Sequence, residues 1–145
     1  MDADRGTTKM NKKQFDPEDL VKAAAAAAKK AYSPYSKYRV GAALLTAGGE
    51  IFTGCNVENA SYGLTICAER SAFCAAVSSG KRAFKAMAIV ASGSKRPYPC
   101  GACRQVMAEF CGPDFRIYCA TAKKPRNFEE LSLGKLLPKS FVMHT

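Results

Sequence analysis

The chain has 145 residues, of which 48% are hydrophobic and 23% charged, proportions that fit one globular domain with a substantial core. No apolar run approaches the roughly 18 residues of a membrane-spanning helix, so we expect no membrane partner. The formal net charge is +10, but the lysines and arginines occur as short pairs that flank the predicted elements. This dispersion favours a solvated basic surface, and a nucleic-acid partner is not expected.

The cysteines and the N-terminal residues bear on the cellular compartment. The seven cysteines are an odd number, and residues 1–14 are polar with no apolar signal-peptide segment. Free thiols and a metal are therefore favoured over a disulfide scaffold, and a cytoplasmic location is predicted. Residues 1–14 are expected to form a flexible tail ahead of a single domain over residues 15–145. Four cysteines in apolar surroundings are expected to be small buried side chains: Cys55, Cys74, Cys111 and Cys119.

Helix and hairpin signals occupy the first half of the domain. Asp16 and Pro17 are typical of a helix start and predict a helix over 17–31. Apolar residues over 40–45 and 51–57 predict two antiparallel strands joined by a Gly-Gly turn.

Helices and strands alternate in the second half. Thr65 is expected to cap a helix over 66–79, and the apolar run over 86–91 predicts a buried strand. The remaining elements are a helix, a strand, a short edge strand and a helical turn capped by Ser132, over 101–110, 115–120, 127–129 and 133–137 respectively. This order predicts an α/β domain with three α/β/α layers and a mixed sheet of about five strands.

Three cysteines and one glutamate form the most informative pattern in the chain. Cys67 precedes Glu69 by two residues, and a Cys-x-x-Cys pair, Cys100 and Cys103, follows after a long gap. Three thiolates leave the fourth tetrahedral position of a zinc ion open to water, which is typical of catalytic zinc sites. The carboxylate of Glu69 is placed to transfer protons, so the pattern predicts hydrolytic chemistry at zinc.

The net charge of the zinc site and the residue types available as ligands allow two further predictions. Zn²⁺ with three thiolates carries a net negative charge, and Arg70 is the candidate that offsets it by donating to a thiolate sulfur. The alternative for Arg70 is an ordinary surface arginine on the second helix. His144 is the only histidine and lies almost at the C-terminus, so an all-cysteine metal site is predicted.

With these motifs, the chain resembles the small homotetrameric cytidine deaminases. Three runs in order carry the resemblance, residues 56–63 (NVENASYG), 67–72 (CAERSA) and 99–105 (PCGACRQ). It extends from the first predicted helix to residues 136–138. It implies one zinc ion per subunit, bound by the three cysteines, and a homotetramer with pockets shared between subunits. The implied reaction is hydrolytic deamination of the nucleosides cytidine and deoxycytidine, a reaction of pyrimidine salvage.

The resemblance also implies roles for individual residues. Glu69 would protonate N3 of the cytosine ring, accept a proton from water and pass it to the departing ammonia. Backbone groups around Ala68 would bind the base edge, and Asn56 and Glu58 would bind the ribose 3′-hydroxyl. A contact at the 3′ position would admit both nucleosides and disfavour a polynucleotide, whose 3′ oxygen is esterified.

Three aromatic residues are assigned to the pocket by the same resemblance. Tyr38 occupies a position where family members usually have a phenylalanine near the base, and Arg39 stands where proline is common. Phe141 matches a C-terminal aromatic residue that reaches a neighbouring subunit's pocket, with packing of a short tail as the alternative. Tyr62 is assigned to a subunit interface or to the pocket wall.

Three other functions compete with this interpretation. Blasticidin-type deaminases share the zinc motifs but lack the Asn-x-Glu-Asn run that residues 56–59 retain. Polynucleotide editing is favoured by the net charge and disfavoured by Glu58, whose carboxylate would lie near a 3′-phosphate. A zinc-dependent nucleic-acid-binding module would require a fourth protein ligand and leaves Glu69 without a role. Cys74 is a poor fourth ligand because it lies about 10 Å from Cys67 along a helix axis.

Overall fold

The structure is a computed structural model and describes residues 15–143. The predicted tail over residues 1–14 and the histidine at position 144 lie outside the described residues. Helix α1, Pro17–Ala28, begins as predicted, with the Asp16 carboxylate accepting a hydrogen bond from the amide of Glu18 at 3.0 Å. It ends three residues earlier than predicted. The amides of Lys30 and Ala31 bond three residues back instead of four, which tightens and closes the last turn.

Within residues 15–143, five strands form one mixed sheet in the order β2-β1-β3-β4-β5, which confirms the predicted fold class. β1 pairs antiparallel with β2 and β3, β3 pairs parallel with β4, and β4 pairs antiparallel with β5. The strands span Val40–Thr46 (β1), Ile51–Cys55 (β2), Phe84–Ala91 (β3), Arg116–Thr121 (β4) and Lys124–Ser132 (β5).

Helices cover both faces of the sheet, as predicted. The remaining helices are α2, α3 and the short α4, which span Ala68–Ser78, Gly101–Phe110 and Leu133–Leu136. One apolar core, which includes Leu20 and Val21 of α1, packs against one sheet face. A second core, which includes Phe73 of α2 and Met107 of α3, packs against the other face. Among the described residues, no helix has the length and apolar character needed to cross a membrane.

The sheet topology brings two helix N-termini together. β2, β3 and β4 run in the same direction, because β1 is antiparallel to both β2 and β3. Their carboxyl ends therefore meet at one edge of the sheet, where ligands commonly bind in α/β folds. Because α2 follows β2 and α3 follows β3, both helices begin at this edge.

The second helix begins later than predicted. Cys67, not Thr65, is the N-cap residue, and the predicted helix over 66–79 is therefore too long at its start. The Thr65 hydroxyl instead accepts a hydrogen bond from the Asn59 amide at 3.2 Å. Ile66 forms an isolated β-bridge with Val57, which holds this segment extended.

Two further expectations are corrected by tertiary structure. The last strand covers nine residues instead of the short strand predicted over 127–129, because it pairs with β4 along most of its length. This strand lies at the edge of the sheet, where residues can be polar, and polar residues give the sequence no clear strand pattern.

Cys74 is exposed and not buried, because α2 turns Phe73 and Ala76 toward the core and Cys74 away. Cys119 is buried as expected, and Cys55 and Cys111 are half-buried.

A glycine sets the distance between β2 and α2. A Cβ atom at Gly54 would lie 2.5 Å from the amide nitrogen of Ala72 and 2.6 Å from the carbonyl oxygen of Ala68. Both atoms belong to the helix backbone, which cannot move aside as a flexible side chain can. Glycine at this position therefore allows the start of α2 to approach the sheet closely.

Candidate active site

Three thiols converge where α2 and α3 begin. The Sγ atoms of Cys67 and Cys100 are 4.0 Å apart, and those of Cys100 and Cys103 are 3.5 Å apart. All three sulfurs lie within 4.8 Å of one another. The structure thus assembles the three cysteines that the sequence pattern selects.

The helix termini explain why these thiols are available as ligands. Cys67 and Cys100 are the N-cap residues of α2 and α3, and neither side chain bonds to the first helical turn. The positive ends of the two helices favour thiolates at these positions. The pKa of Cys67 is lowered to about 5, mainly by a hydrogen bond from the Cys103 thiol and also by the Arg70 guanidinium. The pKa of Cys103 is raised, because it shares a proton with Cys67 and is buried.

Arg70 lies against the thiol cluster instead of on the open surface. Its Nη2 donates to the Cys67 sulfur at 3.2 Å. Its Nε is buried and has no hydrogen-bond partner among the described residues. The contact with Cys67 raises the already high pKa of Arg70, so the guanidinium stays charged beside the thiolates.

Glu69 is a buried carboxyl group beside the cluster. It lies in the first turn of α2 and is 6% exposed. Burial raises its pKa to about 7, and the Cys67 thiolate adds to the shift. A carboxyl group with a pKa near neutrality is suited to both accepting and donating a proton.

Asn56 links the end of β2 to the segment that precedes β1. Its side chain is 8% exposed. The amide oxygen accepts a hydrogen bond from the Val40 amide at 2.9 Å, and Nδ2 donates to the Tyr38 carbonyl at 2.8 Å. Asn56 therefore places Tyr38, whose pKa is raised by burial and by the nearby Glu69 carboxylate. The Tyr38 ring packs beside Gly93, where a Cβ atom would lie 3.1 Å from the ring.

Glu58 borders a depression of about 350 Å³. Its Oε1 accepts hydrogen bonds from the amides of Tyr35 and Ser36 at 3.0 and 3.2 Å, and its Oε2 accepts one from the Ser36 hydroxyl. These bonds, above all that from the Ser36 hydroxyl, lower the pKa of Glu58. The side chain is therefore a fixed carboxylate at neutral pH.

The three remaining residues predicted to bind substrate, Ala68, Tyr62 and Phe141, lie in three different environments. Ala68 is fully buried at the first position of α2, between Cys67 and Glu69. Tyr62 lines the same depression as Glu58, and its ring is 79% exposed. Phe141 does not line that depression: its carbonyl accepts a hydrogen bond from Gln105 at 3.1 Å and its ring is largely exposed.

Comparisons with known proteins agree with this geometry. The family described as cytidine and deoxycytidylate deaminase zinc-binding region matches residues 15–120. The chain belongs to this deaminase family. The resemblance seen in the sequence is therefore confirmed.

Individual members of the family are similar over most of the chain. A cytidine deaminase of Sporosarcina psychrophila is 50% identical over 127 residues, which cover 88% of this chain and 92% of that protein. A probable cytidine deaminase of Dictyostelium discoideum is 50% identical over 130 residues, covering 88% and 85%. A cytidine deaminase from Burkholderia pseudomallei, known from a crystal structure, is 46% identical in sequence to this chain. The two structures superimpose with a TM-score of 0.83, and the match covers 88% of this chain and all of the other.

The donor set of this family member fits one Zn²⁺ ion. Sulfur ligands of a tetrahedral zinc ion lie about 3.8 Å apart, because each Zn–S bond is about 2.3 Å long. The sulfur separations of 4.0 and 3.5 Å bracket this value. Zinc as the cofactor, held by Cys67, Cys100 and Cys103, agrees with the zinc-binding description of the family.

The structure adds two residues that sequence reasoning missed. Ser36 fixes the Glu58 carboxylate, and Arg104 donates to the carbonyls of Pro99 and Leu136, each at 2.7 Å. Arg104 thereby ties the residue before Cys100 to the C-terminal helix. Arg104 lies within the third motif and Ser36 lies outside all three, and only the folded chain shows their partners.

Replacing Cys100 tests the metal site. Cys100→Ala should bind far less zinc and melt at a lower temperature, because the free energy of zinc binding contributes to folding. Cys74→Ala is the matched control, since Cys74 is exposed on α2. Metal analysis of desalted protein and circular dichroism melting measure both effects. An unchanged zinc content in Cys100→Ala would remove this cysteine from the ligand set.

Proposed function

We propose that the protein deaminates cytidine hydrolytically, converting cytidine and water to uridine and ammonia. The observation that carries this proposal is a buried carboxyl group, Glu69, two residues after Cys67 of a three-thiol cluster suited to zinc. Relatives named cytidine deaminases, 46–50% identical over most of the chain, support the same reaction.

Glu69 is the proton carrier in this proposal. The reaction moves both protons of the attacking water: the first goes to N3 of the ring, and the second goes from the hydroxyl added at C4 to the departing amine. A pKa of about 7 lets one carboxyl group serve each transfer near neutral pH. Burial supports this role, because it keeps the carboxyl group from exchanging protons freely with solvent.

The zinc ligands and Arg70 prepare the site for this chemistry. When bound, the zinc ion supplies the Lewis-acid chemistry that makes water a nucleophile near neutral pH. Three thiolates weaken this effect by donating charge. Arg70 draws charge back through its bond to the Cys67 sulfur, which supports its proposed role beside the ligands.

The unused hydrogen-bonding capacity of Asn56 and Glu58 supports binding of the sugar. A carboxylate has about four acceptor positions, and Glu58 uses three of them on other residues among those the structure describes. Asn56 uses one of its two amide hydrogens on the Tyr38 carbonyl. One acceptor and one donor are therefore left for a hydroxyl, in agreement with a contact to the ribose 3′ oxygen.

This contact defines the proposed substrate class. A free 3′-hydroxyl occurs in both cytidine and deoxycytidine, so we expect both to be substrates. A polynucleotide would place a phosphate near the Glu58 carboxylate, which disfavours editing of nucleic acid. Tyr38 and the backbone at Ala68 are the proposed contacts to the base, because both lie beside Glu69.

Exposed apolar side chains support assembly into a homotetramer. Tyr32, Val57 and Ile66 are joined by β-bridges, and all three are exposed. Tyr62 and Leu64 continue this apolar surface along the chain. Patches of this kind mark interfaces, and here the patch borders the depression beside Glu58. Subunits that meet at this surface would complete the pocket, with Tyr62 in its wall.

The C-terminal residues fit the same proposal. Phe141, Val142 and Met143 are exposed, with Phe141 held to α3 through its carbonyl. We propose that Phe141 reaches a neighbouring subunit's pocket. The protein is proposed to act in the cytoplasm, where cysteines remain reduced and available to zinc.

Glu69→Gln tests the proton carrier. The amide keeps the shape of the side chain but cannot transfer the protons, so turnover of cytidine should fall about 10²–10⁴-fold. An ultraviolet assay with cytidine, deoxycytidine, cytidine monophosphate and a single-stranded oligonucleotide measures activity and substrate class together. Zinc content, measured on the same sample, should be unchanged. Near-normal turnover in a zinc-loaded variant would contradict the mechanism.

Glu58→Ala tests the sugar contact. Loss of a hydrogen bond to a carboxylate should raise the KM for cytidine about 10–100-fold. Glu109→Ala is the matched control, because Glu109 is an exposed carboxylate on α3. The assignment fails if the unaltered enzyme uses free cytosine as well as cytidine, since binding would then not involve the sugar.

Leu64→Lys tests the subunit interface. The unaltered protein should have four times the chain mass of 15.6 kDa in multi-angle light scattering. A buried charge in the interface should shift the mass to smaller species and lower cytidine turnover in parallel. Ile51→Lys, at another exposed apolar position, is the control. A fully active monomer would contradict the shared pocket.

A further inference from the structure

A second concave site lies between α1 and the start of β5. This cleft has a volume of about 400 Å³. Its apolar wall includes Val21 and Pro125, and four cations surround it: Lys22, Lys123, Lys124 and Arg126. Small-molecule sites have volumes of about 300–1,000 Å³ and combine apolar walls with a few polar groups, as this cleft does.

The cleft is separate from the thiol cluster. Val21 belongs to the core between α1 and the sheet, whereas Cys103 belongs to the core on the opposite sheet face. Lys123 follows β4, so the cleft opens at the same sheet edge as the thiols but on the α1 side. The proposed deamination uses none of its residues.

The charge around the cleft is predominantly positive. Glu18 is the one carboxylate among the described residues that line it. It lies 3.9 Å from Nε of Arg126, whose side chain is 84% exposed. A contact this long and this exposed leaves the guanidinium N–H groups available to a ligand. The three lysines add ammonium groups whose aliphatic stems can cover an apolar ligand surface.

The backbone of the cleft is fixed before any ligand binds. The Lys124 amide donates to the Thr121 hydroxyl at 3.2 Å across the tight turn between β4 and β5. Arg96 donates to both the carbonyl and the side-chain oxygen of Asn127, at distances of 3.0–3.2 Å. Val21 is 1% exposed and anchored in the core. The cations are therefore carried by an ordered frame, which lowers the entropy cost of binding an anion.

We propose that this cleft binds an organic polyphosphate of the nucleoside triphosphate class. The phosphates would accept charge-assisted hydrogen bonds from the lysines and Arg126, while the organic body would lie against Pro125 and the aliphatic stems of the lysines, above the buried Val21. A single-stranded nucleic acid is a weaker fit, because a polymer follows an extended basic stripe and not one bounded cleft. The site is independent of the deamination reaction.

The test uses adenosine triphosphate as the probe. It is titrated into the protein in a calorimeter at low ionic strength, and excess uridine is present to fill the nucleoside pocket. We expect saturable binding at one site per chain that weakens with added salt. Lys123→Glu with Lys124→Glu should weaken it by at least about tenfold, because two charge-assisted contacts become repulsive. Lys29→Glu with Lys30→Glu is the matched control, an exposed pair with the same charge change at the other end of α1. Both variants should keep the parent's melting temperature and cytidine turnover.

The outcomes separate the parts of the proposal. Inorganic tripolyphosphate should bind more weakly than adenosine triphosphate, because it lacks the organic body. Equal affinity for both would overturn the role of the apolar wall. Equal weakening in the two double variants would show attraction by net charge alone and overturn the site. Tighter binding of a single-stranded oligonucleotide through Lys123 and Lys124 would overturn the ligand class, and no saturable binding would overturn the proposal entirely.

Discussion

The meeting of two helix N-termini at one sheet edge is the constraint on which the rest of the structure depends. Three thiols and a carboxyl group lie within a few residues of those termini, a concentration of acidic groups that would otherwise repel one another. The positive helix ends reduce this repulsion, and Arg70 reduces it further. The absence of a side chain at Gly54 lets α2 lie close enough to the sheet for this arrangement.

The same arrangement shifts the pKa values of the acidic groups in different directions. Cys67 is stabilised as a thiolate by a neighbouring thiol and a guanidinium, whereas the buried Glu69 has a pKa near neutrality. Glu58 has the opposite environment, with backbone amides and a hydroxyl holding it ionised. One carboxyl group is thereby suited to moving protons and the other to accepting a hydrogen bond, although both are glutamates. Local environment, and not residue type, separates their pKa values.

Much of the fold could be predicted because local signals agreed with tertiary structure. Asp16 and Ser132 cap helices where predicted, and the third helix has the predicted bounds. The errors arise where long-range contacts override local preference. Ile66 is extended because it pairs with Val57, and β5 is long because it pairs with β4. Polar edge residues carry no strong strand pattern, so only the pairing partner reveals such a strand.

The sequence by itself selected the three candidate metal ligands and Glu69 as the candidate proton carrier. Cys100 and Cys103 are three residues apart, a spacing that brings two side chains together on one helical turn, and Glu69 follows Cys67 by two residues at the start of α2. Only the tertiary structure decided that Cys67 lies 4.0 Å from Cys100, across 33 residues of chain, and that Ser36 and Arg104 hold Glu58 and Pro99. The physical reason is that such contacts depend on strand direction and register, which neither residue types nor short spacings specify.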